Sequence, residues 1–355
     1  MIRVLVVEDS TVLREFLVHL LNSSAELRVV GTAANGEEAL EAVERWRPDV
    51  ITMDINMPRM NGFEATRRIM ETRPTPIVIV SGSWDPEEVA TSFRAVEAGA
   101  VAVLPRPSGM GHPDHEVTAT NLIQTVKLMA EVKVVRRWGR TRHEAAAPAA
   151  AVWEPQRPER MPAEVQAVAI GASTGGPLVL QTILSRLPKA FPVPIFIVQH
   201  MAAGFIPGFV EWLGQSSSLP VSVAAHRQQA LPGSAYVAPD GSHIQVERGG
   251  RILLAHDAPE YGLRPSVSFL FRSVTAAYGP NAAGVLLTGM GKDGAAELKV
   301  MRKAGAVTIA QDRESSVVHG MPGEALNLGA ASYVLSPEQI ATALASLANH
   351  NREAR

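Results

Sequence analysis

One serine in this chain stands where a nucleophile could stand. Ser173 lies in Gly171-Ala172-Ser173-Thr174-Gly175-Gly176, after the apolar run Val165 to Ile170 and before a helix-like segment, Leu178 to Leu187. A serine between glycines at a strand-to-helix turn suits either a nucleophile or a backbone cradle for phosphate. The two readings imply different enzymes, and the rest of the chain must choose between them.

The cradle reading likens the loop to the glycine-rich turn of short-chain dehydrogenases, which pair a catalytic tyrosine with a lysine four residues later. The only tyrosines are Tyr236, Tyr261, Tyr278 and Tyr333, and none has that lysine. A serine hydrolase instead needs a base to take the hydroxyl proton and an acid to hold the base in its tautomer. Histidine is the base that titrates near neutrality. His200 follows the apolar run Ile195–Val198 and so reaches the same sheet edge as Ser173. His319, in Val317-Val318-His319-Gly320-Met321-Pro322, is its competitor. His112, His115, His143 and His350 fall outside the pattern of this half, and His226, His243 and His256 lie near a hairpin-like stretch.

Asp293 is the candidate acid, in Gly289-Met290-Gly291-Lys292-Asp293-Gly294. At a helix start it could equally be an N-cap. The glycines beside it expose backbone N–H groups of the kind an oxyanion hole uses. Two chain orders remain open: Ser173, Asp293, His319, as in α/β-hydrolases, or Ser173, His200, Asp293.

A second constellation lies near the N-terminus. Glu8 and Asp9 follow the first apolar run, Asp54 the third, Ser81 the fourth and Arg106 the fifth. Strand ends of a parallel sheet converge on one edge. Three carboxylates there repel one another unless a cation joins them, and hard oxygen ligands favour Mg²⁺. A carboxylate beside Mg²⁺, a hydroxyl and a fixed positive charge can accept a phosphoryl group.

The elements that must position these residues alternate throughout. Strands are expected at Ile2–Val7, Val29–Ala33, Val50–Met53, Pro76–Val80 and Val101–Leu104, with amphipathic helices between them and a last helix from Glu116 to about Arg137. Residues 139–163 shift to Ala-, Pro- and Arg-rich composition and read as a linker. Alternation restarts at Val165, and the turn signals within Ala235–Ala255 predict an inserted β-hairpin. With 355 residues two domains are expected. A net charge of -2 offers no general field for nucleic acid. Without cysteine there is no disulfide, cysteine nucleophile or thiolate metal site. No apolar run approaches the roughly 20 residues of a membrane span and none has the form of a signal peptide, so a cytoplasmic protein without membrane insertion is expected.

The first ~130 residues, with the five residues in order and the turns Met57-Pro58 and Asn61-Gly62 behind Asp54, resemble a two-component receiver domain. The resemblance implies phosphorylation at Asp54 by a cognate histidine kinase. It implies Mg²⁺ held by Asp9, Asp54 and the Asn56 carbonyl with Glu8 in support, and phosphate contacts from Ser81 and Arg106. Arg106 stands where the family usually has lysine, and Val103 where it often has an aromatic. The second half resembles the chemotaxis protein-glutamate methylesterases through the Ser173 loop, Gln199-His200-Met201, Gly289 to Gly294 and Val317 to Pro322. That likeness selects Ser173 as nucleophile, His200 as base and Asp293 as orienting acid, with the Met290 N–H as oxyanion donor and Thr174 as support for His200. It implies hydrolysis of glutamate methyl esters on the cytoplasmic helices of chemoreceptors, deamidation of particular glutamines, and no cofactor for hydrolysis. The expected fold is two doubly wound α/β domains: a flavodoxin-like receiver (1–138), a linker (139–163) and a Rossmann-like methylesterase domain (164–349), with a tail (350–355).

Overall fold

A computed structural model describes residues 1–82, 93–132, 134 and 165–353, with side chains to residue 347. The chain divides into two compact units, Met1–Glu144 and Ala145–Arg355. The 139–163 linker lies outside the described residues, as does most of the helix expected at Pro86–Ala98, of which residues 93–98 are helical.

The first unit is a parallel five-stranded sheet: β1 (Ile2–Val7), β2 (Leu27–Ala33), β3 (Val50–Met53), β4 (Ile77–Ser81) and β5 (Ala102–Pro105). The strand order is β2-β1-β3-β4-β5, the doubly wound flavodoxin order. Val4 to Val7 and all of β3 are buried, because strands covered on both faces need continuous apolar runs. Helices α1 (Thr11–Asn22), α2 (Gly36–Trp46), α3 (Gly62–Thr72) and α4 (His115–Ala130) connect and cover them. Each of the first three starts on a polar N-cap, Ser10, Asn35 or Asn61, whose side chain accepts from helix-start N–H groups. Leu5, Ile51, Ile77 and Ile79 meet Ala39, Val43 and Ile69 in one core.

The second unit has a seven-stranded parallel sheet ordered β14-β13-β12-β6-β7-β9-β8. These are β6 (Ala167–Ala172), β7 (Ile195–Gln199), β8 (Val221–Val223), β9 (Ala235–Val237), β12 (Ala282–Leu286), β13 (Val307–Gln311) and β14 (Tyr333–Leu335). Helices are α5 (Gly176–Arg186), α6 (Ile206–Ser216), α7 (Val267–Tyr278), α8 (Ala295–Lys303), α9 (Met321–Asn327) and α10 (Pro337–Glu353), the last running through residues expected to form a tail. The core joins Phe196 and Val198 of β7 to Leu270, Phe271 and Val274 of α7 and Leu298 and Met301 of α8.

Within Ala235–Ala255 the hairpin is smaller than its turn signals suggest. Residues 235–237 join the main sheet in parallel with β7 and β8, and only β10 (His243–Val246) and β11 (Ile252–Ala255) pair antiparallel. Helix α6 is not among the expected elements, and it begins across Pro207 and Gly208. Pro207 stands in the first turn, where its missing N–H costs nothing, and Ile206, Phe209, Trp212 and Leu213 form the buried stripe.

Candidate active site

Strand order reverses between β6 and β12, and ligands of doubly wound sheets bind outside the carboxyl ends of strands at such a point. Ser173 is the first residue past β6. Its N–H donates to the Thr288 carbonyl at 3.0 Å, and the Leu287 N–H donates to the Gly171 carbonyl at 2.8 Å. These bonds carry the β6–β12 pairing on into the loops. Gly289 is required by this approach, since a Cβ there would lie 2.6 Å from Ser173 Cβ. Gly175 takes the N-cap of α5 at φ +82°, a left-handed conformation that turns the chain out of β6 and leaves Ser173 at the bend.

His200 reaches the same edge from β7. Its N–H donates to the Ala172 carbonyl at 2.9 Å, which extends the pairing of Ala172 with Gln199. Both donors of the buried Gln199 amide are used here, on the Ser173 carbonyl at 2.8 Å and the His200 carbonyl at 2.9 Å. One side chain therefore ties the two backbones together. His200 Nε2 meets Asp293 Oδ2 at 3.0 Å. In the serine-protease arrangement Nδ1 faces the acid. Here Nε2 does, which leaves Nδ1 as the nitrogen available to a hydroxyl.

Asp293 does not cap the helix that follows it. Gly294 occupies that N-cap with no side-chain bond. The Asp293 carboxylate instead faces the N-terminus of α7. It accepts the Val267 N–H at 2.7 Å, the Ser268 N–H at 2.9 Å and the Ser266 hydroxyl at 3.0 Å. Ser266 is the α7 N-cap. Burial pushes the Asp293 carboxyl up, but the hydrogen bond and charge of His200 and the donors of Ser268 outweigh it and hold it at about 2. A carboxylate so supplied stays charged and can orient an imidazole.

His319 stands apart from Asp293. Its Nδ1 meets Ser316 Oγ at 3.3 Å, and burial with the Arg313 charge pushes its pKa down. Its loop is latched to the edge by the Gly289 N–H on the Val318 carbonyl (2.9 Å) and the Val318 N–H on the Thr288 hydroxyl (3.0 Å), which itself donates to the Thr174 carbonyl (2.9 Å). Thr174 thus contributes its carbonyl. Among the described residues its hydroxyl makes no hydrogen bond to His200. The Ser173 hydroxyl and the Met290 N–H likewise make no hydrogen bond among the described residues.

In the first unit the corresponding reversal lies between β1 and β3. Glu8 and Asp9 follow β1, Asp54 follows β3, and ligand oxygens of all three lie within 4.8 Å of one another. Glu8 and Asp54 are buried, at 1% and 3% exposure, and Asp9 is exposed. Arg106 Nη2 lies 2.9 Å from Asp54 Oδ2 and 3.2 Å from Glu8 Oε2. Its guanidinium fits over Gly82, where a Cβ would stand 2.7 Å from Nη1. Burial, then the Asp54 charge, pushes Glu8 up to about 7, and burial raises Asp54 despite Arg106. Glu8 Oε2 is buried and accepts no hydrogen bond. An orphaned carboxylate oxygen among three acids fits a hard divalent cation. Ser81 is buried at the end of β4, its carbonyl accepting the Arg106 N–H at 2.9 Å, and Asn56 is exposed two residues past Asp54.

Comparison with known proteins agrees with both edges. Residues 4–115 match the response regulator receiver domain model and residues 168–344 the CheB methylesterase model. A protein-glutamate methylesterase/protein-glutamine glutaminase of Geobacter metallireducens is 61% identical over 98% of this chain and 99% of its own length. One from Nitrosospira multiformis is 58% identical over 100% of this chain and 99% of its own. The chain belongs to this family of methylesterases and glutaminases. The crystal structure of the Thermotoga maritima CheB methylesterase catalytic domain matches with TM-score 0.50 and 36% identity, covering 52% of this chain and 99% of that one.

Within this methylesterase, reasoning from sequence missed Ser266, Ser268 and Gln199. A serine immediately before the helical run at Val267 is an N-cap signal, so α7 was readable. That its first turn would receive a carboxylate from residue 293 was not.

Proposed function

We propose that Ser173 is the nucleophile, His200 the base and then the acid, and Asp293 the orienting carboxylate in hydrolysis of glutamate γ-methyl esters on the cytoplasmic helices of chemoreceptors. The observation that carries this reading is the 3.0 Å bond from His200 Nε2 to a carboxylate held at the α7 N-terminus, beside the strand end that bears Ser173. Ser173 Oγ attacks the ester carbonyl while His200 Nδ1 takes its proton. The tetrahedral oxyanion accepts the Met290 N–H. The imidazolium protonates the departing methoxide as methanol, and water repeats the attack to free the glutamate carboxylate. Deamidation of glutamine uses the same steps with ammonia leaving, and hydrolysis uses no cofactor.

The assigned receiver (1–138), linker (139–163) and catalytic domain (164–349) make one regulated enzyme. Asp54 accepts a phosphoryl group from the cognate histidine kinase. Glu8, Asp9, Asp54 and the Asn56 carbonyl would hold Mg²⁺, which would supply positive charge to the phosphoryl oxygens; Ser81 and Arg106 supply a hydroxyl and a fixed positive charge. Among the described residues no helix is long and apolar enough to cross a membrane, which accords with work in the cytoplasm on the receptor's inner helices. Methanol release from methylated receptor tests the reading. Ser173→Ala is expected to abolish it, and wild-type rates in that variant would refute the nucleophile. A small phosphodonor with Mg²⁺ is expected to raise the rate in the wild type and leave Asp54→Asn unchanged; equal stimulation of both would refute phosphorylation at Asp54.

A further inference from the structure

Two large apolar side chains at the rim of the catalytic edge are left in solvent. Met290 is 56% exposed and Tyr261 58% exposed. They belong to different loops, and Lys292 links them. Lys292 is exposed, lies two residues past Met290 and one before Asp293, and its Nζ stands 5.5 Å from the Tyr261 ring centroid. Since Gly289 touches Ser173 and Asp293 holds His200, residues 289–293 form one wall of the reaction site.

Tyr261 is held in place by its backbone. Glu260 and Leu263 exchange N–H···O bonds of 3.1 and 2.8 Å around Tyr261 and Gly262, whose φ values are +52° and +76°. Two left-handed residues at the centre of a two-residue loop are the type I′ geometry, which favours Asn or Gly over a tyrosine. A non-glycine residue held at positive φ is strained and persists where its surroundings over-determine it. The surroundings here do. Glu260 pairs with Arg272 of α7, and Arg264 Nη1 donates to the His256 and Asp257 carbonyls at 3.3 and 3.2 Å. The turn is thus fastened to the helix whose start receives Asp293. A pre-set aromatic with little freedom left to lose is a good contact residue.

Resting on the esterase reading above, we propose that Tyr261, Met290 and Lys292 form the platform that seats the receptor helix beside the reacting ester. The occupant is an amphipathic helix carrying carboxylates. Each turnover converts a neutral methyl ester into an anion, so a substrate helix with several such sites gains negative charge as it is processed. Lys292 supplies the complementary charge beside the Tyr261 ring and next in sequence to Asp293, while the Tyr261 ring and the Met290 side chain cover the helix's apolar strip.

Steady-state methanol release from a methylated receptor fragment, using the full chain, tests this. Tyr261→Ala is expected to raise KM about tenfold with kcat little changed, because the contact is made before and during reaction alike. Lys292→Glu is expected to raise KM further and Lys292→Arg to restore it, and the increase of KM with salt in the wild type is expected to flatten in Lys292→Ala. Ser173 labelling by a small fluorophosphonate reads the catalytic centre independently of the helix. Wild-type KM in both Tyr261→Ala and Lys292→Glu would overturn the platform. So would parallel losses of labelling and receptor turnover, since the residues would then act through the centre. A wild type that labels but releases no methanol would overturn the esterase reading, and the platform with it.

Discussion

The two units place a buried aspartate at the same topological position and give it opposite character. Asp54 ends β3 beside the β1/β3 reversal, and Asp293 lies in the loop after β12 beside the β6/β12 reversal. Burial raises both carboxyls. At Asp293 the hydrogen bond and charge of His200, then Ser268 at the start of α7, overcome that cost, and the group is held at about 2. At Asp54 the neighbours include two more carboxylates and one guanidinium, and the group stays raised, with Glu8 at about 7. The difference teaches that a strand end fixes where a carboxylate goes, while its hydrogen-bond partners fix its charge. One site is complete and ready to orient a base. The other sets three carboxylates against one guanidinium, and a cation would make up the missing positive charge.

The largest test of this contrast is Asp293→Asn. Its amide cannot serve as a charged acceptor for His200 and the α7 donors, and kcat is expected to fall on the order of 10³–10⁴-fold with KM little changed. A loss below tenfold in methanol-release rate would mean that the saturated carboxylate is not what orients His200.

Acid and Mg²⁺ should separate the two units. Glu8 rises from an ordinary 4.5 to about 7 in the fold, so its contribution is fully present below the unfolded value and is lost as pH rises through about 7. Asp293 falls from 3.8 to about 2, so its contribution is present above 3.8 and is lost as pH falls through about 2. Between pH 7 and pH 5 without Mg²⁺, residues of the first unit should gain protection from hydrogen exchange, after correction for intrinsic rate. The gain is expected to reach roughly 2–3 kcal/mol at most. Protection in the second unit should show no matching gain, and Mg²⁺ at pH 7 should itself protect the first unit. Equal responses from both units would erase the contrast.

The smallest effect is expected from Ser268→Ala. Its hydroxyl accepts the Gly294 N–H at 2.9 Å and donates to Glu297 Oε2 at 2.6 Å, while the bond to Asp293 comes from its backbone N–H. The variant orphans a buried N–H but keeps the carboxylate's donor. Thermal denaturation should show a loss of about 1–3 kcal/mol, with kcat within about tenfold of wild type. A greater loss of kcat would make the hydroxyl part of the positioning of Asp293.

Much of both edges was readable along the chain because a parallel sheet converts sequence order into place. Apolar runs mark β1, β3, β6 and β7, and the polar residue after each run lands on the carboxyl edge. Glu8, Asp54, Ser173 and His200 were readable for that reason. Asp293 was found as an acid in a glycine loop, but its N-cap alternative was open, because capping depends on which helix start lies in front of the carboxylate. Helix α6 was not expected; it carries a proline and a glycine in its first turn, where they break nothing. The Pro239–Ser242 turn was read as part of a hairpin, but it leads from a parallel strand of the main sheet into β10, and local turn chemistry does not name the strand's partner.

By itself the sequence determined the alternating elements, the strand-end position of each candidate and the chemical type of both sites. Those properties follow from periodicity and residue type, which are local along the chain. Only the tertiary structure brought His200 Nε2 to Asp293 and His319 to Ser316, tied Ser173 to His200 through Gln199, and surrounded the carboxylate with donors from the start of α7. His319 and Ser316 aside, those are contacts between segments 25 to 93 residues apart. Whether a buried group is charged depends on the donors that packing brings to it, and no pattern along one strand encodes them.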